Sequence, residues 1–251
     1  MNRLELRKVR KAFGGVQAVS VDYLKFRDHS ITVLVGPNGA GKTTVFHLIC
    51  GALRPDSGEI LLDNRSLVGL HPWQISKLGV GRLFQDVRLF ARMTVIDNLL
   101  VSFPDNDGDG PFRSFLSDPW RRLSENRHKK RAAELLQLLE LEGMEDRLAE
   151  SLSYGQQKLL AIGRLIAAQS QVLLLDEPTA GLNPTMTERV LRLLRDLATQ
   201  GKIVAVIEHN MNVVLRIADW VCFLDKGEVE LFGLPSEVLG DRDVRASYMG
   251  L

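Results

Sequence analysis

Four short stretches combine residue types and spacings that can do chemistry. The first, Gly36, Pro37, Asn38, Gly39, Ala40, Gly41, Lys42, Thr43 and Thr44, fits the pattern G-x-x-x-x-G-K-[ST]. Three glycines let the backbone curl with successive N–H groups pointing inward, a nest for anionic oxygens at the start of a helix. In that pattern Lys42 reaches the β- and γ-phosphates of a nucleotide and the Thr43 hydroxyl ligates Mg²⁺. The second stretch ends an apolar run, VLLLDEP, on Asp176 and Glu177. Adjacent carboxylates beside a phosphate loop can divide labour, Asp176 holding the metal and Glu177 orienting and deprotonating an attacking water. The third, LSYGQQ, puts Ser153 where it can cap a helix and Gly155 where it would leave the first helical N–H groups bare, a second anion-binding terminus. The fourth, VIEHN, brings His209 to the end of another apolar run. Ligand contacts collect at such strand ends in open α/β sheets.

Two further residues stay open on their own chemistry. Gln85, among Leu83, Phe84 and Val87, can contact a metal-bound water and a neighbouring loop, or simply face solvent. Phe13, just before Gly14 and Gly15, can stack on an adenine ring or pack against a turn.

These groups need a scaffold, and the hydrophobic pattern describes one. Ile31 to Val35 reads as a buried strand leading into the phosphate loop and then a helix, TTVFHLICG. Before it, Leu4, Leu6 and Val9 and the run AFGGVQAVSVDYLKF predict an antiparallel N-terminal sheet turning at Gly14 and Gly15. A strand follows the turn at Pro55 to Gly58, then a short helix with Pro72 in its first turn. From Ser124 to Leu141 the spacing predicts a helix with Ala132, Leu135, Leu136, Leu138 and Leu139 on its apolar face. Its basic start, Arg121, Arg122, Arg127, Lys129, Lys130 and Arg131, is a solvated face or a surface for headgroups or an acidic partner. Asn183 and Pro184 open a further helix that Gly201 closes, KIVAVIEHN is another strand, WVCFLDKGEVELFG a hairpin turning at Lys226 and Gly227, and the last stretch a helical tail.

Composition removes several alternatives. With 251 residues, 45% hydrophobic and 25% charged, the chain can bury a sizeable core, as one large domain or as a core with an inserted subdomain. A net charge of +1 gives no whole-chain bias toward nucleic acid or anionic membrane. No apolar run approaches the roughly 20 residues of a spanning helix, and the charged start MNRLELRKVRKAF is unlike a signal peptide, so a cytosolic location is expected. Cys50 and Cys222 lie alone in apolar stretches and read as core thiols. Asp105, Asp107, Asp109 and Gly110 match the opening of a calcium loop. The match then fails, because Pro111 follows the glycine and Leu116 stands where a bidentate Glu is needed.

The order of the pieces, phosphate loop, Gln85, LSYGQQ, LLLDEP, AGLNP and EHN, resembles the ATP-binding cassette family over essentially the whole chain. Within it, FQDVRLF, the insert before LSYGQQ, Tyr154, AGLNP and EHNM resemble the ATPase subunits of branched-chain amino acid importers. The resemblance implies an α/β fold: a P-loop NTPase core (1–85 and 160–251) with a mostly parallel sheet, an N-terminal antiparallel β subdomain, and an inserted helical subdomain (86–159). It implies ATP and Mg²⁺ as cofactors, with Phe13 on adenine, Gln85 in the loop that senses the membrane domain, Glu177 as catalytic carboxylate and His209 at the γ-phosphate. It also implies a second ATPase subunit packed head to tail, so that Ser153, Gly155 and Gln156 of one meet the ATP of the other. Membrane-spanning permease subunits and, indirectly, a solute-binding protein complete the expected assembly, on the cytoplasmic side of the membrane. Two residues depart from the commonest family pattern, Tyr154 in place of the first signature glycine and Asn183 in place of an aspartate. A soluble cassette ATPase acting on nucleic acid or ribosomes is the alternative. It is disfavoured because such members usually carry two cassettes or a long coiled-coil insertion, and no heptads occur here.

Overall fold

The computed structural model describes residues 3–104 and 119–249. The Asp105, Asp107, Asp109 run lies outside the described residues, as do the side chains of Arg121 and Arg122. Ten strands, β1 (Arg3–Phe13), β2 (Val16–Arg27), β3 (Ser30–Val35), β4 (Ser57–Leu62), β5 (Arg65–Ser66), β6 (Val80–Leu83), β7 (Val172–Asp176), β8 (Ile203–Ile207), β9 (Trp220–Asp225) and β10 (Glu228–Gly233), form one sheet. The helices are α1 (Lys42–Ile49), α2 (Pro72–Lys77), α3 (Val95–Leu100), α4 (Pro119–Leu138), α5 (Tyr154–Ala167), α6 (Pro184–Thr199), α7 (Met211–Ile217), α8 (Pro235–Val238) and α9 (Arg242–Met249).

Strand order is β5-β4-β1-β2-β10-β9-β3-β8-β7-β6. From β9 to β6 every neighbouring pair is parallel. Strands β1, β2, β4 and β5 pair antiparallel, as the N-terminal alternation predicts. The two parts are continuous, joined where β10 of the C-terminal hairpin meets β2 at Glu228 and Ser20. That hairpin turns through Lys226 and Gly227, both with positive φ, the tight type the sequence predicts.

In the parallel part successive residues of β7 and β8 are all buried, so both sheet faces are covered. Val172, Leu174, Ile203 and Ala205 share one core with Val45, Phe46, Leu48 and Ile49 of α1. Phe46→Ala would empty a site with no solvent exposure, and we expect a loss of about 3–5 kcal/mol, read as a lower midpoint in urea unfolding.

The chain divides into two compact units, Met1–Gln85 with Ser170–Ala180 and Thr187–Leu251, and Asp86–Gln169 with Gly181–Met186. All ten strands belong to the first. Helix α5 falls wholly in the second. Ala132 and Leu136 of α4, and Leu139 just past its end, are buried as expected, whereas Leu138 is exposed. Two residues beyond Leu136, a side chain has turned to the opposite face of a helix. Among the described residues no helix is long and apolar enough to cross a membrane. Cys222 is fully buried and its thiol is pushed well above the usual range by that burial.

Candidate functional site: a phosphate loop faced by two carboxylates

Parallel pairing sets the C-terminal ends of β3, β6, β7 and β8 along one edge of the sheet. The segments that leave these ends carry the phosphate loop, Gln85, Asp176 with Glu177, and His209. They surround a cleft of about 440 Å³ lined by loop residues Asn38 to Thr44 together with those four side chains, Ala18 and Ile207.

The loop's glycines have separate reasons to be glycine. Gly36, at φ 147°, would place a Cβ 2.0 Å from the Leu224 carbonyl oxygen, and Gly41, at φ 98°, one 2.3 Å from that of Ala18. Gly39 has open space around it and needs only its positive φ of 83°. Lys42 begins α1, and its ammonium donates to the carbonyls of Gly36 at 2.7 Å and Pro37 at 2.8 Å. Burial holds the Lys42 amine below its ordinary pKa, with Glu177 and Asp176 partly offsetting that effect.

Asp176 is the last residue of β7, and Glu177 follows in a left-handed conformation at φ 48°. The Glu177 amide donates to the Ile207 carbonyl at 3.0 Å, tying the turn to β8. Its carboxylate meets two groups: Gln85 Nε2 donates to Oε2 at 3.4 Å, and His209 Nε2 lies 3.3 Å from Oε1. The structure therefore gathers Gln85, Glu177 and His209, three residues far apart in sequence, on one carboxylate. Such a carboxylate, oriented from both sides beside a phosphate loop, is suited to hold a water for attack.

Oxygen donors for a hard cation lie in the same cleft: the Thr43 hydroxyl, the Asp176 carboxylate and the Gln85 amide oxygen. Among the described residues no group of three or more His, Cys, Asp and Glu could hold a metal alone. One carboxylate with a hydroxyl fits Mg²⁺, which keeps waters and takes its remaining oxygens from phosphates.

Two positioning groups were not marked by the sequence. Glu208 is buried, and its carboxylate accepts from the Thr179 hydroxyl, from the Thr179 amide at 3.3 Å and from the His209 amide at 3.2 Å. It thereby fixes the segment after Glu177 to the base of His209, although nothing in EHN sets it apart from an ordinary strand-end acid. Arg82, on β6, makes a buried ion pair with Asp176.

Phe13 is about half exposed, 47%, with the Lys11 ammonium 5.4 Å from its ring centre, and it is not part of the cleft lining. The signature residues lie in the second unit. Ser153 caps α5, its hydroxyl accepting from the Gln156 amide at 3.4 Å while the Gln156 side chain accepts from the Ser153 amide at 2.9 Å. This reciprocal pair occupies part of the terminus expected to be bare. Gly155 is buried, and a Cβ there would stand 2.8 Å from Met186 Cε, so a larger residue would have to push the Met186 side chain aside. Asn183 accepts from the Met186 amide at 2.9 Å, the N-terminal cap predicted for α6.

Residues 20–180 match the ABC transporter family, a span that takes in the phosphate loop, the LSYGQQ stretch and both carboxylates. The chain belongs to that family. It is 40% identical over 239 residues to the high-affinity branched-chain amino acid transport ATP-binding protein LivG of Salmonella typhimurium, covering 95% of this chain and 94% of the relative. A crystal structure of the ADP conformation of an ATP-binding cassette of an ABC transporter superposes with a TM-score of 0.86 at 29% identity, covering 100% of both chains. A dimeric post-hydrolysis state of another ATP-binding cassette, bound to ADP and Pi, superposes with a TM-score of 0.75 at 26% identity, covering 92% of this chain and 98% of that one.

Proposed function

We propose that this cassette hydrolyses ATP to power an importer of branched-chain or other hydrophobic amino acids. The observation that carries hydrolysis is the Glu177 carboxylate held between Gln85 and His209 at the mouth of the phosphate loop. The amino acid class rests on the likeness to LivG over nearly the whole length of both chains.

In this reading the loop amides and Lys42 bind the β- and γ-phosphates, and Phe13 stacks on the adenine. Thr43, Asp176 and Gln85 hold Mg²⁺, which when bound offsets charge on the phosphate oxygens. Glu177 accepts a proton from the attacking water, and His209 orients that carboxylate and the γ-phosphate. Two copies, or this chain and a related cassette, pack head to tail so that Ser153, Gly155 and Gln156 of one close over the nucleotide of the other. The dimeric ADP and Pi complex of a relative supports the pairing of two cassettes. Permease subunits anchor the pair at the cytoplasmic face of the membrane, and a separate solute-binding protein delivers the amino acid.

The test is to purify the chain from membranes, identify what accompanies it by mass spectrometry, and reconstitute the complex into proteoliposomes. ATP-dependent uptake of leucine, isoleucine or valine is expected. Copurification with RNA or ribosomes and no membrane protein would overturn the reading.

Ser153→Arg separates binding from assembly. It puts bulk and charge where the other subunit's γ-phosphate would sit, so ATP binding by the monomer should stay near wild type while phosphate release stops. Normal hydrolysis in this variant would rule out the head-to-tail arrangement.

A further inference from the structure

Arg82 points its charge at the metal carboxylate without belonging to the cleft. Its Nη2 lies 3.3 Å from Asp176 Oδ2, with the two side chains only 6% and 7% exposed. The guanidinium carbon sits 4.7 Å from the centre of the Phe84 ring, and Nη1 lies 3.9 Å from Cys50 Sγ. The Arg82 Nε is buried with no hydrogen-bond partner among the described residues. Arg82 does not line the cleft, and the cleft residue that its guanidinium meets is Asp176.

Stability alone is a poor reason for this arrangement. A buried ion pair is commonly no more stable than apolar packing of the same volume, and an orphaned buried N–H adds a further cost. The electrostatic consequence is larger. A guanidinium this close to a desolvated carboxylate is little screened by water or salt, and it cancels most of the field that Asp176 would present to a cation. In the same cleft Lys42 faces Asp176 and Glu177 as a second positive charge. Two carboxylates are thus met by two cations, and a divalent ion arriving alone finds oxygen atoms but little net negative charge. The triphosphate of a nucleotide brings the charge that is missing.

We propose that Arg82 is a positioning residue that neutralises Asp176, so that the site takes up a divalent metal only together with nucleotide phosphates. This rests on the reading of Asp176 as the metal carboxylate. Arg82 orients that carboxylate through Nη2, and its own position is set by Phe84, the residue before Gln85.

The test measures metal binding rather than turnover. The full chain is titrated with Mn²⁺ alone, free Mn²⁺ being counted by electron paramagnetic resonance, and again with Mn²⁺ plus the non-hydrolysable analogue AMP-PNP. Wild type should bind Mn²⁺ at this site weakly alone and tightly with the analogue. Arg82→Gln, and Arg82→Met, which fills similar space without charge, should bind Mn²⁺ alone about tenfold more tightly, the lower end of what an adjacent full charge does to the ionisation of a carboxylate. Arg82→Lys should restore the weak wild-type binding. Uncharged variants that bind Mn²⁺ alone no more tightly than wild type, or a lysine variant that behaves like them, would overturn the proposal. Melting curves without metal check that each variant is folded. If neither uncharged variant folds, the wild-type titrations decide, because Mn²⁺ binding as tight without AMP-PNP as with it overturns the proposal. Asp176→Asn tests the reading beneath. Unchanged Mn²⁺ binding with AMP-PNP in that variant removes Asp176 as a ligand, whereas a loss there with unmoved Arg82 variants removes only the role given to Arg82.

Discussion

Lys42→Ala is expected to abolish measurable ATP binding. The Lys42 ammonium is held at the loop by two short bonds, to the carbonyls of Gly36 and Pro37, and is the cation that the loop itself contributes to the cleft. Directed at phosphate oxygens, an ammonium makes charge-assisted hydrogen bonds worth roughly 1.5–3 kcal/mol each. Losing two therefore weakens binding by roughly two to four powers of ten, enough to take a micromolar affinity out of range of titration calorimetry. Lys42→Met keeps most of the buried stem and should lose binding equally, which separates the charge from the packing. Thr43→Ala should bind ATP alone normally and lose only the part that depends on Mg²⁺. An unchanged affinity in Lys42→Ala would remove the phosphate-loop reading.

The loop was legible in the sequence because everything that makes it lies within a dozen residues. Local spacing carries the turn, the strand before it and the helix after it, and the structure returns Ser30–Val35 and Lys42–Ile49 around it. The strand-end acids were legible for a similar reason, since an apolar run of strand length that stops at two adjacent carboxylates delivers them to the edge of a sheet. What was not legible depends on pairing at long range. Sheet order sets β9 beside β3 and β7 beside β6, and neither follows from period-two patterning, which is the same for any neighbour. Arg82 is the clearest case. A single arginine in a four-residue strand at the edge of the sheet looks like a solvent-facing residue until Asp176, 94 positions away, is seen within reach. Glu208 was hidden for the same reason, because its acceptor role appears only when Thr179 arrives from the turn after β7. Leu138 erred in the other direction, a leucine beside a true apolar stripe that its position on the helix turns outward.

Glu177→Gln should slow hydrolysis by roughly 10² to 10⁴-fold, the usual contribution of a positioned general base, while leaving ATP binding intact. The amide keeps the shape of the carboxylate and can still meet Gln85 and His209, at the present 3.4 Å and 3.3 Å, but it cannot take a proton from water. The backbone at this position is demanding too. Glu177 adopts φ 48°, and its amide is bonded to the Ile207 carbonyl, so a glutamine is the substitution that disturbs the turn least. Loss of the base has a second consequence for assembly. If ATP is sandwiched between two cassettes, nucleotide that binds and is not hydrolysed favours the closed pair by mass action. Glu177→Gln should therefore elute as a dimer in ATP with little or no Mg²⁺ and as a monomer in ADP, whereas wild type should be mostly monomeric in both. Size exclusion with light scattering at matched nucleotide concentration reads this directly. A variant that binds ATP yet stays monomeric would mean that the interface forms only with the membrane subunits in place, and one that hydrolyses at the wild-type rate would take Glu177 out of the chemistry and leave its contacts with Gln85 and His209 a purely structural role.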